Sequence, residues 1–287
     1  MLTVAFLGPA GTYTHEALLA AAGGGELNAV PRQTIHDAIR AVETGEAHRA
    51  FVPFENSIEG AVRATLDTLA FETDSVTIAG EHDHPIRHSL IAREQLPLDD
   101  VTLVLSHEQA AAQCARFLRE SLPAARTRTT PSNAEAVRTV AASTEPWAAI
   151  ASSAAAGIYG ATVLREGVED EPDNVTRFVW IGPAGTRPGG KGPWRTTLIF
   201  SELGEDHPGA LVNALTEFSS RAVNLTRIES RPLRRGLGRY MFFVDLDGRG
   251  DDPPVAEAID ALRGKAESVR VLGSYPVNAG GVPGAAV

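Results

Sequence analysis

Pro183-Ala184-Gly185-Thr186-Arg187-Pro188-Gly189-Gly190-Lys191-Gly192-Pro193-Trp194 divides the chain into two unlike halves. Its glycines and prolines fit neither a helix interior nor a central strand, so residues 183–194 read as a linker. Beyond it come a strand over Thr196–Ser201, a helix over Pro208–Ser220, strands over Leu225–Ser230 and Gly238–Asp245, a helix over Pro254–Lys265 and a strand over Val269–Ser274. That β-α-β-β-α-β order is ferredoxin-like and defines a unit over 195–275. Residues 276–287 are rich in Gly, Pro and Ala, carry no charge and read as a disordered tail.

Before the linker, apolar strand patterns at 2–7, 49–53, 76–80, 101–105, 147–151 and 175–182 alternate with helical patterns near 14–22, 35–44, 60–70, 107–120 and 132–142. The alternation predicts parallel-type α/β layers over 1–182. Thr34 with Asp37, and Ser106 with Gln109, have capping-box spacing. A chain of 287 residues exceeds one ordinary hydrophobic core, so two or three folding units are expected.

The charge is uneven. Residues 1–182 carry 24 acids and 13 bases, whereas 183–287 carry 12 acids and 13 bases. An acidic first half argues against nucleic acid as partner. No apolar run approaches a membrane span, and the first residues read as a strand rather than a leader, so a cytoplasmic location is expected. Every base in the first half is arginine; the only lysines are Lys191 and Lys265. Schiff-base and Walker-type lysine chemistry are therefore unavailable there. Cys114 is the single cysteine and reads as a small buried residue. His82, His84 and His88 lack further ligands at metal spacing, so no metal is expected.

Several segments combine polar groups beyond what local structure requires. Gly8-Pro9-Ala10-Gly11-Thr12-Tyr13-Thr14 joins a strand to a helix, where free backbone N–H groups attract an anion; a tight turn is the other reading. Glu55-Asn56-Ser57 offers an acceptor, an amide and a hydroxyl at a strand's carboxyl end, where open α/β sheets bind ligands. Gln109 and Gln113 share a helix face, and Gln113 is the one without a capping role. Thr176-Arg177-Phe178 sets a hydroxyl beside a permanent cation at the mouth of an apolar strand. In the second unit, Gly209-Ala210-Leu211-Val212 opens a helix and Glu229-Ser230-Arg231-Pro232 ends a strand that Pro232 places at an edge.

Together these segments resemble prephenate dehydratase over nearly the whole chain. Gly8 to Ala17, Pro53 to Ser57, Ser106-His107 with Gln113, and Thr176-Arg177-Phe178 match the catalytic-domain motifs in order. Gly209 to Val212 and Glu229 to Pro232 match the two motifs of the family's regulatory ACT domain. The resemblance implies a two-lobed, periplasmic-binding-protein-like catalytic domain with its site in the cleft, the chain crossing between lobes near 80 and 160–175. It implies loss of carbon dioxide and the ring hydroxyl from prephenate, giving phenylpyruvate for phenylalanine biosynthesis, without a cofactor.

In that frame Thr176 assists the departing hydroxide. Arg177 is either a carboxylate counter-charge or a brace for the Thr176 backbone. Glu55 is either a proton-transfer group or a structural partner of Arg177. Gly11, Thr12, Asn56, Ser57, Ser106, Gln113 and Phe178 are the expected substrate-binding positions, Phe178 with packing as its other reading. Gly209, Ala210, Leu211, Val212, Glu229, Ser230, Arg231 and Pro232 are expected to take L-phenylalanine as allosteric effector between paired regulatory domains of a homodimer or homotetramer. The rivals are an arogenate dehydratase and a non-catalytic amino-acid-sensing binding protein.

Overall fold

The computed structural model describes residues 1–204 and 208–283. Residues 205–207, within the approach to the expected regulatory helix, and 284–287, the end of the expected tail, lie outside the described residues.

The chain opens with β1 (Leu2–Leu7), α1 (Tyr13–Ala22), β2 (Leu27–Arg32), α2 (Ile35–Glu43), β3 (Arg49–Asn56), β4 (Gly60–Ala61), α3 (Arg63–Asp67) and β5 (Val76–Pro85). Thr12 starts α1 by accepting from the His15 amide, and Gly23, at φ 61°, closes it. A second lobe holds β6 (Ser89–Ala92), β7 (Leu103–Ser106), α4 (Glu108–Gln113), α5 (Ala115–Ser121), β8 (Arg126–Thr129), α6 (Asn133–Ala141), β9 (Trp147–Ala151), α7 (Ser153–Tyr159) and β10 (Thr162–Glu166). The chain then returns to the first lobe as β11 (Val175–Pro183).

The first sheet runs β2-β1-β3-β11-β5 and the second β10-β6-β9-β7-β8. Both are mixed, where the helix–strand alternation alone predicted parallel layers. β11 lies antiparallel to β3 and β5 because it comes back from the other lobe. The crossings are 86–88 and 167–174, and Ile86 N donates to Asn174 O at 2.8 Å to tie them together. The first crossing falls later than the expected residue 80, because β5 stays paired with β11 out to Pro85.

Some element expectations are revised for local reasons. The helix expected over 60–70 begins only at Arg63, since Gly60 and Ala61 pair back onto Glu55 and Asn56. The helix expected over 107–120 is interrupted at Cys114, and His107 rather than Ser106 caps its start. β8, Arg-Thr-Arg-Thr at a sheet edge, carries no apolar signal at all.

The last unit comprises β12 (Trp194–Ser201), α8 (Ala210–Ser219), β13 (Leu225–Pro232), β14 (Tyr240–Asp247), α9 (Pro253–Arg263) and β15 (Ser268–Pro276). Its antiparallel sheet, ordered β13-β14-β12-β15, buries one face under α8 and α9. The other face shares a core with the first lobe: Ile78, Val179 and Ile181 pack with Leu233, Met241, Phe243, Leu272 and Tyr275. Approach is close enough that a Cβ on Gly273 would lie 2.1 Å from the Ile78 carbonyl oxygen. Residues 276–283, expected as part of a disordered tail, instead lie against the first lobe. Asn278 Oδ1 accepts from Asp83 N at 2.8 Å, Gly281 N donates to Ala21 O, and Arg49 Nε donates to Pro283 O at 3.0 Å.

Candidate active site

A cleft of about 620 Å³ separates the two lobes. Asn56, Arg63, Thr176 and Phe178 line it from the first lobe; Gln109 and Gln113 line it from the second, with His88 and Asn174 on the two crossings. Pro53 and Asn56 both face the cleft although three residues apart on one strand, which strict pleat alternation forbids. A bulge permits it. Arg177 pairs with Glu55 but Phe178 pairs with Pro53, leaving Phe54 as the extra residue.

The orientation of the linked polar groups around Thr176 can be deduced from one end. The amides of Ile58 and Glu59 donate to Asn56 Oδ1 at 3.0 and 2.9 Å, so Asn56 Nδ2 must be the donor on its other side. It donates to Asn174 Oδ1 at 2.7 Å and to Thr176 Oγ1 at 2.9 Å. Asn174 Nδ2 therefore faces Gln113 Oε1, at 2.9 Å, and that oxygen also takes His88 Nε2 at 3.0 Å. With Nε2 protonated, a neutral His88 offers Nδ1 as acceptor to the Tyr13 hydroxyl, 2.5 Å away. Burial lowers the His88 pKa, against the pull of its Gln113 hydrogen bond and of Glu169. The Tyr13 hydroxyl is pushed well up, chiefly by burial and also by Cys114, Glu16 and Glu169. Since Thr176 Oγ1 accepts from Asn56, its own proton is free to point into the cleft.

Arg177 and Glu55 do not face this cleft. Successive strand residues point to opposite faces, so Arg177 turns away from Thr176 and towards the ferredoxin-like unit. There its Nη2 lies 2.7 Å from Glu55 Oε2 and 2.7 Å from Asp245 Oδ2. Burial opposes its charge, yet Asp245, Tyr275, Glu55 and Glu81 hold its pKa above the ordinary value.

Other expected positions make contacts within the protein. Three of the four backbone donors of the 8–12 turn are already used: Gly8 N by Arg32 O, Gly11 N by His15 Nδ1 and Thr12 N by Pro9 O. Gly11, at φ 83°, packs against Tyr159, and Thr12 caps α1. Ser57 Oγ accepts from Val175 N, and Ser106 Oγ donates to the His107 carbonyl. Phe178 lines the cleft while stacking on Phe51, centroids 5.2 Å apart.

Tyr13, Arg63 and Asn174 are cleft residues that sequence reasoning did not single out, and His88 was weighed only as a metal ligand. Arg63 carried a usable signal: a cation in the first turn of a helix opposes the macrodipole and needs another reason to be there. It has no ion-pair partner among the described residues.

In the ferredoxin-like unit, Gly209 takes φ 89° ahead of α8, with Ala210, Leu211 and the exposed Val212 in the first turn. Along β13 the side chains part. Arg231 forms a bidentate pair with Asp67 of the first lobe, Nε to Oδ1 at 3.1 Å and Nη2 to Oδ2 at 2.8 Å, while Ser230 sits beside Phe242 on the helix-side face. Ile228 on that face is 46% exposed at the sheet edge. Glu229 and Pro232 complete the strand's end.

Family models for prephenate dehydratase and for the ACT domain match residues 4–186 and 198–264. The prephenate dehydratase of Mycolicibacterium vanbaalenii is 40% identical over 296 residues, spanning 99% of this chain and 93% of that protein. The structure of Arthrobacter aurescens prephenate dehydratase in complex with L-Phe superposes at a TM-score of 0.88, with 39% identity over 96% of this chain and 90% of that one. A further structure, GqqA, described as a novel type of quorum quenching acylase, superposes at 0.85 with 31% identity, over 96% of this chain and 98% of that one. The chain belongs to the prephenate dehydratase family, as a catalytic region followed by an ACT domain.

Proposed function

We propose that this protein converts prephenate to phenylpyruvate, carbon dioxide and water, under control by L-phenylalanine. The observation that carries the chemistry is the hydrogen bond from Asn56 Nδ2 to Thr176 Oγ1 inside the cleft. It presents the threonine proton to a leaving hydroxyl. A threonine is a weak acid, so polarisation of the departing oxygen is the role its chemistry allows most readily. Water collects the balance: one proton joins hydroxide as the ring becomes aromatic.

Arg63 takes the counter-charge role first considered for Arg177, binding the side-chain carboxylate of the substrate. The ring carboxylate is best left without a cation, because pairing it stabilises the ground state that must lose carbon dioxide. Leu7, Ile35, Pro53, Ile86 and Phe178 supply an apolar wall for it. Gln113 and Asn56 orient the ring; Glu55 and Arg177 act from behind the sheet. The side-chain partner of Thr176 is an amide donor, not a base, so the hydroxyl is not prepared as an acyl-transfer nucleophile.

The effector reading rests on Gly209–Val212 and the uncovered helix-side face of β13, which a second ACT domain would complete. Pairing of that kind gives a homodimer or a homotetramer. Among the described residues no helix is long and apolar enough to cross a membrane, and the proposed setting is the cytoplasm. The test is continuous detection of phenylpyruvate from prephenate and from arogenate, each with and without phenylalanine. Turnover of prephenate that responds to phenylalanine is expected; binding of phenylalanine with no product from either substrate would leave only a sensor.

A further inference from the structure

Six charged side chains meet between the first sheet and the ACT sheet. Glu55, Glu81 and Arg177 come from β3, β5 and β11; Arg195, Arg227 and Asp245 come from β12, β13 and β14. Arg177 Nη2 joins Glu55 and Asp245 at 2.7 Å each, with Glu81 3.6 Å from Nη1. Arg227 Nε reaches Glu55 Oε1 at 3.2 Å, and Arg195 contacts Glu81. The carboxylates of Asp245 and Glu81 are fully buried. Thr197 Oγ1 donates to Asp245 Oδ1 at 2.8 Å and itself meets the Tyr275 hydroxyl. Three acids face three arginines, but each side alone is unbalanced: the catalytic strands carry one excess negative charge and the ACT strands one excess positive charge.

We infer that Asp245 of the ACT domain is a positioning residue for the dehydration step, acting on Thr176 through Arg177. The inference rests on the dehydratase reading above. Thr176 and Arg177 are consecutive on β11, so a guanidinium clamped on one face fixes the register of the hydroxyl on the other. A buried carboxylate held by a second side chain is a rigid anchor for that clamp. Loss of about 1 Å of placement at a reacting group costs on the order of 10²-fold in rate. The ACT domain is thereby part of the catalytic lobe's working geometry, through a contact independent of the effector motifs.

The test uses the full-length protein and steady-state phenylpyruvate formation. Asp245→Asn should lower kcat by about tenfold or more and leave KM within about twofold, the pattern of lost transition-state placement. Removing one buried charge also strands its partners, which lowers stability by itself. Asp245→Asn combined with Arg227→Gln restores the balance and should recover the melting temperature while kcat stays low. If Asp245→Asn does not fold, Thr197→Val, which keeps every charge, should still lower kcat severalfold with KM unchanged. Normal kcat in the folded single variants, or recovery of kcat in the double variant, would overturn the inference. A wild-type enzyme that makes no phenylpyruvate would instead remove the function on which it stands.

Discussion

In the proposed mechanism Thr176 assists the leaving hydroxyl, and Thr176→Ala should then reduce kcat by orders of magnitude while calorimetry still detects phenylalanine binding. Near-normal turnover would sink its role. His88 is the proposed source of a pH dependence. Its folded pKa is depressed, so below the ordinary value near 6.5 the unfolded chain takes up protons that the native state refuses. Its contribution to stability is complete above about 6.5 and is lost as pH falls through the lower folded value. A protonated ring would donate from both nitrogens and turn the Tyr13 hydroxyl from donor to acceptor on that side, leaving the Arg87 carbonyl, 3.1 Å away, to take its proton. We expect kcat to fall on the acid side with a midpoint below about 6.5, and His88→Gln, which keeps a donor towards Gln113, to flatten that limb. A superimposable acid limb in the variant would assign it elsewhere. The sequence made Thr176, Asn56 and Gln113 legible because hydroxyl and amide groups exceed what strand ends and caps require. The direction of Arg177 was not legible, since it depends on strand parity and on what lies behind the sheet. Tyr13, Arg63, His88 and Asn174 meet only in space.

At the level of elements, the bulge at Phe54 and the edge strand β13 divide the labour. The bulge lets Pro53 and Asn56 share the cleft face while Glu55 faces the ACT domain. No residue in Pro53-Phe54-Glu55-Asn56 announces it, because bulges are set by pairing with a strand distant in sequence. β13 turns Arg227 and Arg231 towards the first lobe and Ile228 and Ser230 outwards. Ser230→Ala should therefore weaken the response of turnover to phenylalanine and spare basal activity. Gly209→Ala should do the same, with an added cost of about 1 kcal/mol for placing a Cβ at positive φ. Both are read by titrating phenylalanine into the continuous assay. Loss of basal turnover in a folded variant would contradict this division. The β-α-β-β-α-β order was readable from alternating patterns and turn residues, whereas β8 and β2 were not. One is wholly polar and the other contains Pro31 at a sheet edge.

Across the whole molecule, the linker marks a boundary in sequence that is not a boundary in packing. Ile78 and Val179 share one apolar cluster with Phe243 and Leu272, which no reading of composition could reveal because each half looks self-sufficient. Scanning calorimetry should show one cooperative transition for the intact chain. Gly273→Ala, whose Cβ meets the Ile78 carbonyl, should separate the ACT sheet from the first lobe, lower the melting temperature and split that transition. A single unshifted transition in Gly273→Ala would mean the close approach is dispensable. The docking also has a mechanical meaning. β5 and β11, the strands under the ACT sheet, are the ones whose ends become the two crossings to the second lobe. The ACT domain thus grips, at Ile78 and Arg177, the same two strands that lead into both crossings, so a tilt of its sheet would be passed along β5 and β11 to the hinge of the cleft.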